Sequence, residues 1–222
     1  MNLFSSLGLL QTGYRVRKGR LPPTRLALAL ERNGPAAIKL GQMLATRPDI
    51  VGEDVARALE HLQDRLPPFP ESEARRVIAR EFAKPVEALF ASFGGAIAAA
   101  SIAQVHKAVT LEGVAVAVKV LRPGIETEFA RDLSGFAFFA GLAENFFAEA
   151  RRLRLVALVE TLKASVALEL DLRMEAAAAS ELYDRTSGDT EFRVPHVDWG
   201  RTSARVLTSE WIECVSLRDT DA

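Results

Sequence analysis

The sequence predicts an α+β protein built on an antiparallel sheet, with a helical extension in front of it. Three observations carry that reading. The first 90 residues are apolar at helical spacing and are punctuated by Asn33-Gly34, Pro48 and the cluster Pro67, Pro68 and Pro70. Behind a Glu112-Gly113 turn, Val114, Val116, Val118 and Val120 alternate with Ala115, Ala117, Lys119 and Leu121, the period of a half-buried hairpin strand. A helical zone from Ile125 to about Arg185 then separates this hairpin from a second one, and the order helices, hairpin, helices, hairpin suits an α+β domain.

The elements follow from local chemistry. Residues 24–32 read as a short helix stopped by Asn33-Gly34. Pro35 suits the first turn of the next helix, where its missing N–H would be unpaired anyway. That helix carries Ile38, Leu40, Met43 and Leu44 and ends before Arg47-Pro48, because the residue before proline disfavours helix. Residues 53–65 form a third helix with Val55, Leu59 and Leu62 on one stripe, residues 71–82 a fourth, and 85–91 a short fifth. Gly94-Gly95 then precede an alanine-rich stretch, and 102–110 pairs with 114–121. Residues 193–199 and 204–211, joined through Gly200, read as the second hairpin.

Composition bounds the function. The chain has 222 residues, 49% hydrophobic and 26% charged, which excludes long disorder, a collagen repeat and a disulfide scaffold. Basic and acidic side chains sum to 28 − 29 = −1, so no global field draws nucleic acid, and no nucleic-acid partner is expected. One cysteine, Cys214, and three scattered histidines, His61, His106 and His196, make no zinc spacing, and no metal-ligand set is expected in this chain. The most apolar run, 133–143, is eleven residues between Asp132 and Glu144, about half of a bilayer span, and reads as a buried helix. The first fourteen residues are uncharged and a basic cluster follows, the reverse of a secretory signal, so a cytoplasmic location is expected. Arg15, Arg17, Lys18, Arg20 and Arg25 precede the first acid, Glu31; such an arm meets anionic lipid at about 1 kcal/mol per cation, or is simply solvated.

Lys119 is the first candidate for chemistry. A lysine in an apolar strand needs an anionic partner or a cleft, because an unpaired buried ammonium costs several kcal/mol. Ala115 and Ala117 share its face and leave room for a flat ligand. Val116-Ala117-Val118-Lys119 matches the strand motif in which a lysine meets the α- and β-phosphates of a nucleotide and pairs with a helix glutamate; an edge-strand lysine with its head in water fits the same letters. Before it, Ile97, Ala98, Ala99, Ala100, Ser101, Ile102, Ala103, Gln104 and Val105 occupy the place of a phosphate loop between the first two strands. Alanine is small, but its Cβ restricts positive φ, so such a loop is stiffer than a glycine loop; an alanine-rich helical turn is the competing reading. The anionic partner is sought in Leu168-Glu169-Leu170-Asp171-Leu172-Arg173-Met174-Glu175, where Asp171 and Glu175 are four apart and share a helical face, with Glu169 about 120° round from Glu175. Ordinary exposed ion pairs compete with that role. Lys39-Leu40-Gly41-Gln42 places glycine inside a helix at a cost of about 1 kcal/mol, which calls for close approach to a ligand or another backbone, or for helix packing.

Together these segments resemble the UbiB/aarF-domain family of atypical, protein kinase-like proteins. The resemblance rests on Lys39-Leu40-Gly41-Gln42 with Arg47-Pro48-Asp49, on 98–106, on Val116-Ala117-Val118-Lys119 with Arg122-Pro123-Gly124-Ile125, on Glu169 through Arg173 with Glu175, and on Glu210-Trp211-Ile212, in family order and spacing. It implies a kinase-like N-terminal lobe (92–222) up to the hinge, preceded by a helical extension (35–91) and a basic arm with a short helix (1–34). It implies that Lys119 holds ATP and pairs with Glu175, that Ile97 to Val105 and Ala117 line the nucleotide, and that Glu210 and Ile212 meet adenine through backbone groups. Lys39 and Gln42 would fold over the cleft opposite Glu169 and Asp171, occluding protein substrates and favouring ATPase-like or small-molecule work. The family supports ubiquinone biosynthesis at membranes, so quinone-biosynthesis proteins, anionic lipid and a peripheral position at the inner membrane face are the implied surroundings.

Two departures qualify it. Glu213-Cys214 stand where the hinge ordinarily continues with glycine, and no D-F-G sequence occurs. The catalytic residues and the ligands for Mg are therefore expected from a second lobe beyond Ala222, and the chain reads as a fragment or truncated product, inactive alone. The competing function is a non-catalytic lipid- or quinone-precursor-binding module at the membrane surface.

Overall fold

The computed structural model describes residues 3–60, 62 and 67–213. In chain order these form α1 (Leu3–Arg17), α2 (Thr24–Glu31), α3 (Pro35–Ala45), the single turn α4 (Pro48–Val51), α5 (Glu53–Leu59) and α6 (Glu71–Phe82). Strands β1 (Phe90–Ala99), β2 (Ala103–Thr110) and β3 (Ala115–Leu121) follow. Then come α7 (Ile125–Phe146), α8 (Ala148–Leu153), α9 (Leu155–Glu169), α10 (Leu172–Thr186) and β4 (Val206–Glu210). The fold is α+β with an antiparallel sheet, as the sequence predicts. The chain divides into two compact units, residues 1–66, 100–102 and 124–168 in one and 67–99, 103–123 and 169–222 in the other. Among the described residues no helix is long and apolar enough to cross a membrane.

In the helical unit, α2 stops where Asn33 Nδ2 donates to the Ala29 carbonyl at 2.7 Å and Gly34 takes φ 89°, which favours glycine. Pro35 opens α3, and Ala36, Ala37, Ile38 and Gly41 form its buried face. A Cβ on Gly41 would lie 2.3 Å from Leu62 Cδ1 and 2.9 Å from Leu30 Cδ1, and both leucines are buried. Helix packing therefore accounts for the glycine. The turn expected at 47–49 is the start of α4, with Arg47 Nε and Nη2 gripping Asp49 at 2.8 and 2.7 Å. The third helix ends at Leu59; of the remainder expected to 65, residues 61 and 63–66 lie outside the described residues. The region before α2 is itself helical over Leu3–Arg17.

The second unit is built on a four-stranded antiparallel sheet in the order β1-β2-β3-β4. The β2–β3 turn closes with Gly113 N–H on the Thr110 carbonyl at 3.0 Å and Gly113 at φ 84°. Residues directly opposite one another in a sheet share a face. Phe93, Ala108, Val116, Val118, Val120 and Val206 form one face and pack with Ala74, Val77 and Ile78 of α6. Val105, Lys107, Ala115, Ala117, Lys119 and Ser209 form the other.

Three expectations are corrected here. The helix expected at 85–91 is one short turn, Val86–Ala88, after which the chain enters β1 at Phe90. Gly94-Gly95 and Ile97 to Ala99 are strand, not loop. Phe93 pairs with Ala108 and Ala96 with His106, so β1 takes three steps against two and bulges at the glycines. The turn between β1 and β2 is only Ala100 to Ile102. In the second hairpin only Val206–Glu210 is a strand, and Val197 makes a single bridge to Ser209. Pro195 has no N–H for a ladder, and Asp198 turns the chain by capping the short turn Trp199–Arg201.

Candidate functional site

The site begins with alternation in β3. Because Val116, Val118 and Val120 take the core face, Lys119 is forced onto the open face, beside Ala117 and Ala115. Its ammonium reaches both carboxylate oxygens of Glu175, at 2.8 and 2.7 Å. Their side chains are 30% and 50% exposed, so the pair is wet and contributes little to folding. It fixes the direction of a cation beside Ala115, Ala117 and Ser209, on a face that also carries Val105, Lys107 and Leu207.

Glu175 is aimed by the start of α10. The acidic segment expected as one helical run is two: α9 ends at Glu169, and Asp171 stands in extended backbone as the cap of α10. Asp171 Oδ1 accepts the Arg173 N–H at 3.1 Å, and its two oxygens take Arg173 Nε and Nη2 at 2.9 and 2.6 Å. The Arg173 guanidinium holds the Asp171 carboxyl below the usual carboxylate range. The Leu172 N–H donates to the Ala204 carbonyl at 2.9 Å, and Leu172 and Ala176 are buried, which ties the first turn down. Asp171 and Glu175 thus act in series: one caps the helix and the other, a turn later, meets Lys119.

The rest of the open face is read from register. Ala98 pairs with Val105 and Val105 with Lys119, so these lie side by side across three strands. Ile97 is exposed, and Ala99 and Ala100 are half-buried. Ser101, Ile102 and Ala103 are buried. The Gln104 side chain turns to the core face: its Oε1 accepts the Phe69 N–H at 2.9 Å, and its Nε2 donates to the Phe69 carbonyl at 3.2 Å and to His106 Nε2 at 2.9 Å. Across from Ala117 is Ser209, a small residue that the motif reading did not single out; its period-two position between Leu207 and Trp211 was the available signal.

At the hinge, the Glu210 N–H is spent on the His196 carbonyl at 2.8 Å and the Trp211 N–H on the Ala115 carbonyl at 3.1 Å. Among the described residues, Ile212 is the first there whose N–H has no partner. The Glu210 carboxylate pairs with Arg193, and Lys107 Nζ lies 4.5 Å from the Trp211 ring centre. Cys214 lies outside the described residues. Lys39 and Gln42 sit on α3 in the helical unit, Glu169 and Asp171 in the other. The chain holds one H-x-D spacing, His196-Val197-Asp198, but Asp198 accepts the Arg201 N–H at 3.2 Å and binds its Nη1 at 2.7 Å, a structural role. Among the described residues no group of three or more His, Cys, Asp or Glu is placed to hold a metal ion.

Residues 61–222 match the family described as ABC1 atypical kinase-like domain. The "Probable protein kinase UbiB" of Marinobacter nauticus is 43% identical over 199 residues, 89% of this chain and 36% of that protein. Its counterpart in Azotobacter vinelandii is 42% identical over 199 residues, 89% of this chain and 37% of that protein. The chain thus spans little more than a third of the length of these relatives. Among solved structures, the complex of Rv3197 with erythromycin from Mycobacterium tuberculosis aligns with TM-score 0.56 and 31% identity, over 82% of this chain and 44% of the other. With its sheet, its strand lysine paired to a helix glutamate and these matches, the chain belongs to the ABC1 atypical kinase-like family.

Proposed function

We propose that this chain is the nucleotide-binding N-terminal lobe and helical extension of a UbiB-like ATP-dependent enzyme of ubiquinone (polyprenyl-quinone) biosynthesis. The observation that carries the reading is the Lys119–Glu175 pair on the open sheet face, beside Ala117 and Ala115. A desolvated phosphate needs a point cation aimed at it, and Glu175 supplies the aim. Ala117, Ala115 and Ser209 leave room for a flat ring system beside that cation, and the Ile212 N–H is an uncommitted donor at the hinge end of the same face. These residues fit ATP as substrate: Lys119 would hold its phosphates and Ile212 its base.

Magnesium is the metal that such chemistry uses. Among the described residues no group of three or more His, Cys, Asp or Glu is placed to hold it. Phosphoryl transfer depends on metal-borne charge neutralisation and a positioned catalytic aspartate. We therefore expect this chain alone to bind ATP and to hydrolyse little or none.

A fluorescent ATP analogue titrated into the full chain tests the reading. Binding should weaken about tenfold or more in Lys119→Met, the loss of one charge-assisted contact to phosphate. Equal binding by Lys119→Met removes the nucleotide assignment. Mg-dependent turnover by the wild-type chain that vanishes in Lys119→Met would contradict the inactivity.

One observation favours a membrane-surface role as well. On α7, Phe138, Leu142 and Phe146 are spaced four apart and exposed, and the exposed Phe147 follows them. Arg151 and Arg154 come next in exposed positions with no acidic partner among the described residues. Aromatic and leucine side chains beside free cations suit an anionic lipid interface. Co-sedimentation with phosphatidylglycerol vesicles should fall in a Phe146→Ser/Phe147→Ser variant; unchanged binding discards this surface.

A further inference from the structure

We infer that the cleft beside the β2–β3 turn binds a small organic cation with an apolar flank. The cleft has a volume of about 980 Å³. It is walled by the β2–β3 turn, the C-terminal half of α10 and the connection that leads to β4. Lys119, Glu175 and Ile212, which carry the nucleotide reading, do not line it, although Glu210 of the hinge does.

Its walls offer aromatic faces. Tyr183, Phe192 and Trp199 line the cleft, 39%, 51% and 51% exposed. Their placement is fixed from behind. Trp199 Nε1 donates to Ser180 Oγ at 3.1 Å, which lays the indole along α10 one turn before Tyr183. The Tyr183 ring meets His196 edge-on, with centres 5.4 Å apart and planes at 82°. Exposed aromatic surface gathered in one hollow attracts cations through the ring faces as well as apolar groups.

The charges select between those two. Four acids line the cleft, Glu112, Asp189, Asp198 and Glu210, against two arginines, Arg193 and Arg201, so with His196 neutral the lining sums to 2 − 4 = −2. Both arginines are committed: Arg201 to Glu112 and Asp198, Arg193 to Glu210. An anion therefore finds no open guanidinium. Asp189 is the group left over. Its Oδ1 accepts the Glu191 N–H at 2.9 Å, and it has no cationic partner among the described residues. A carboxylate without a cationic partner among the described residues, lining the same cleft as three aromatic side chains, suits an ammonium whose substituents cover those rings.

The experiment uses benzyltrimethylammonium as probe and the full chain carrying Trp211→Phe, which leaves Trp199 as the sole tryptophan. A saturable change in Trp199 fluorescence is expected. Affinity should drop about tenfold in Asp189→Asn, a change of one charge with no change of shape, and about as much in Phe192→Ala. Neopentylbenzene, the same shape with carbon in place of the ammonium nitrogen, should bind about tenfold more weakly. Three results would each overturn the inference: no saturable change, equal binding of the neutral isostere, or affinity unchanged in both variants. Asp189 and Phe192 are exposed, so unfolding midpoints matching the parent chain verify that each variant reports on the cleft rather than on folding.

Discussion

Asp171 grips the Arg173 guanidinium two residues on, with bonds of 2.9 and 2.6 Å, while the same carboxylate caps α10 at the Arg173 N–H. One side chain therefore both starts the helix and orients its first basic residue. Because Glu175 lies in that first turn, the geometry of the Lys119 contact depends on a residue that never touches Lys119.

The cap separates two roles by substitution. Asp171→Asn keeps an oxygen for the Arg173 N–H and loses only the exposed carboxylate–guanidinium contact, so its unfolding midpoint should fall less than that of Asp171→Ala. Asp171→Ala loses the cap and should cost about 1 kcal/mol in urea denaturation. If the α10 cap aims Glu175, nucleotide binding falls in Asp171→Ala and is largely retained in Asp171→Asn; equal loss in both would mean that the carboxylate charge, not the cap, is what matters. The depressed Asp171 carboxyl adds stability at neutral pH that disappears in acid, as pH falls below the ordinary aspartate range through its lowered folded value.

Removing the Lys119–Glu175 pair should barely move stability. Both side chains are substantially exposed, and wet ion pairs contribute between 0 and about 1 kcal/mol. Glu175→Gln is expected to shift the urea midpoint negligibly while weakening nucleotide binding. A large loss of stability would show that the pair is a structural strut, and that the open face is not a ligand surface.

His106 should make the sheet acid-sensitive. It is fully buried, its Nδ1 lies 2.8 Å from the Gly94 carbonyl, and its ring stacks on Phe93 with centres 4.6 Å apart. A carbonyl only accepts, so Nδ1 carries the proton and Nε2 accepts from Gln104. Burial pushes the histidine below its ordinary value of 6.5. The unfolded chain therefore takes up the proton first. Stability is complete above about pH 6.5 and is lost as pH falls from there through the lower folded value. Urea midpoints at pH 7.5 and 5.5 check this: wild type should weaken in acid, and His106→Gln should lose that part of the difference. An identical pH difference in both proteins rules His106 out.

Gly41→Ala sets propensity against packing. Alanine favours an exposed helix interior by about 1 kcal/mol over glycine. Here the new methyl meets two buried leucine ends at 2.3 and 2.9 Å, and overpacking costs about 1–3 kcal/mol. A net loss of stability on denaturation is expected; a gain would mean that Leu30 and Leu62 move aside freely.

The helices that sequence located well are those whose ends are written in local chemistry. Asn33-Gly34, Pro35, Arg47-Pro48 and Pro70 fix four boundaries with no help from distant residues. The β3 alternation likewise put Lys119 on the open face. Phe90–Ala99 was not legible, because glycine and alanine have low strand propensity. This strand exists because β2 offers it a ladder, and its bulge places two glycines where the partner advances by one residue. Residues 193–199 misled in the opposite direction: they alternate like a strand, yet Pro195 and the Asp198 cap leave them one bridge.

By itself the sequence determined the class of fold, the helix boundaries that turn residues and prolines mark, and the face of β3 that carries Lys119, since period, turn residues and caps are local properties; the choice of Glu175 as its partner came from the family resemblance. Only the tertiary structure decided that Gln104 belongs to the core, that Asp171 is a cap rather than part of a continuous acidic helix face, and that Asp189 has no cationic partner among the described residues. Each of those depends on what lies across a strand or against a helix, and contacts between residues far apart in the chain leave no period in the sequence to read.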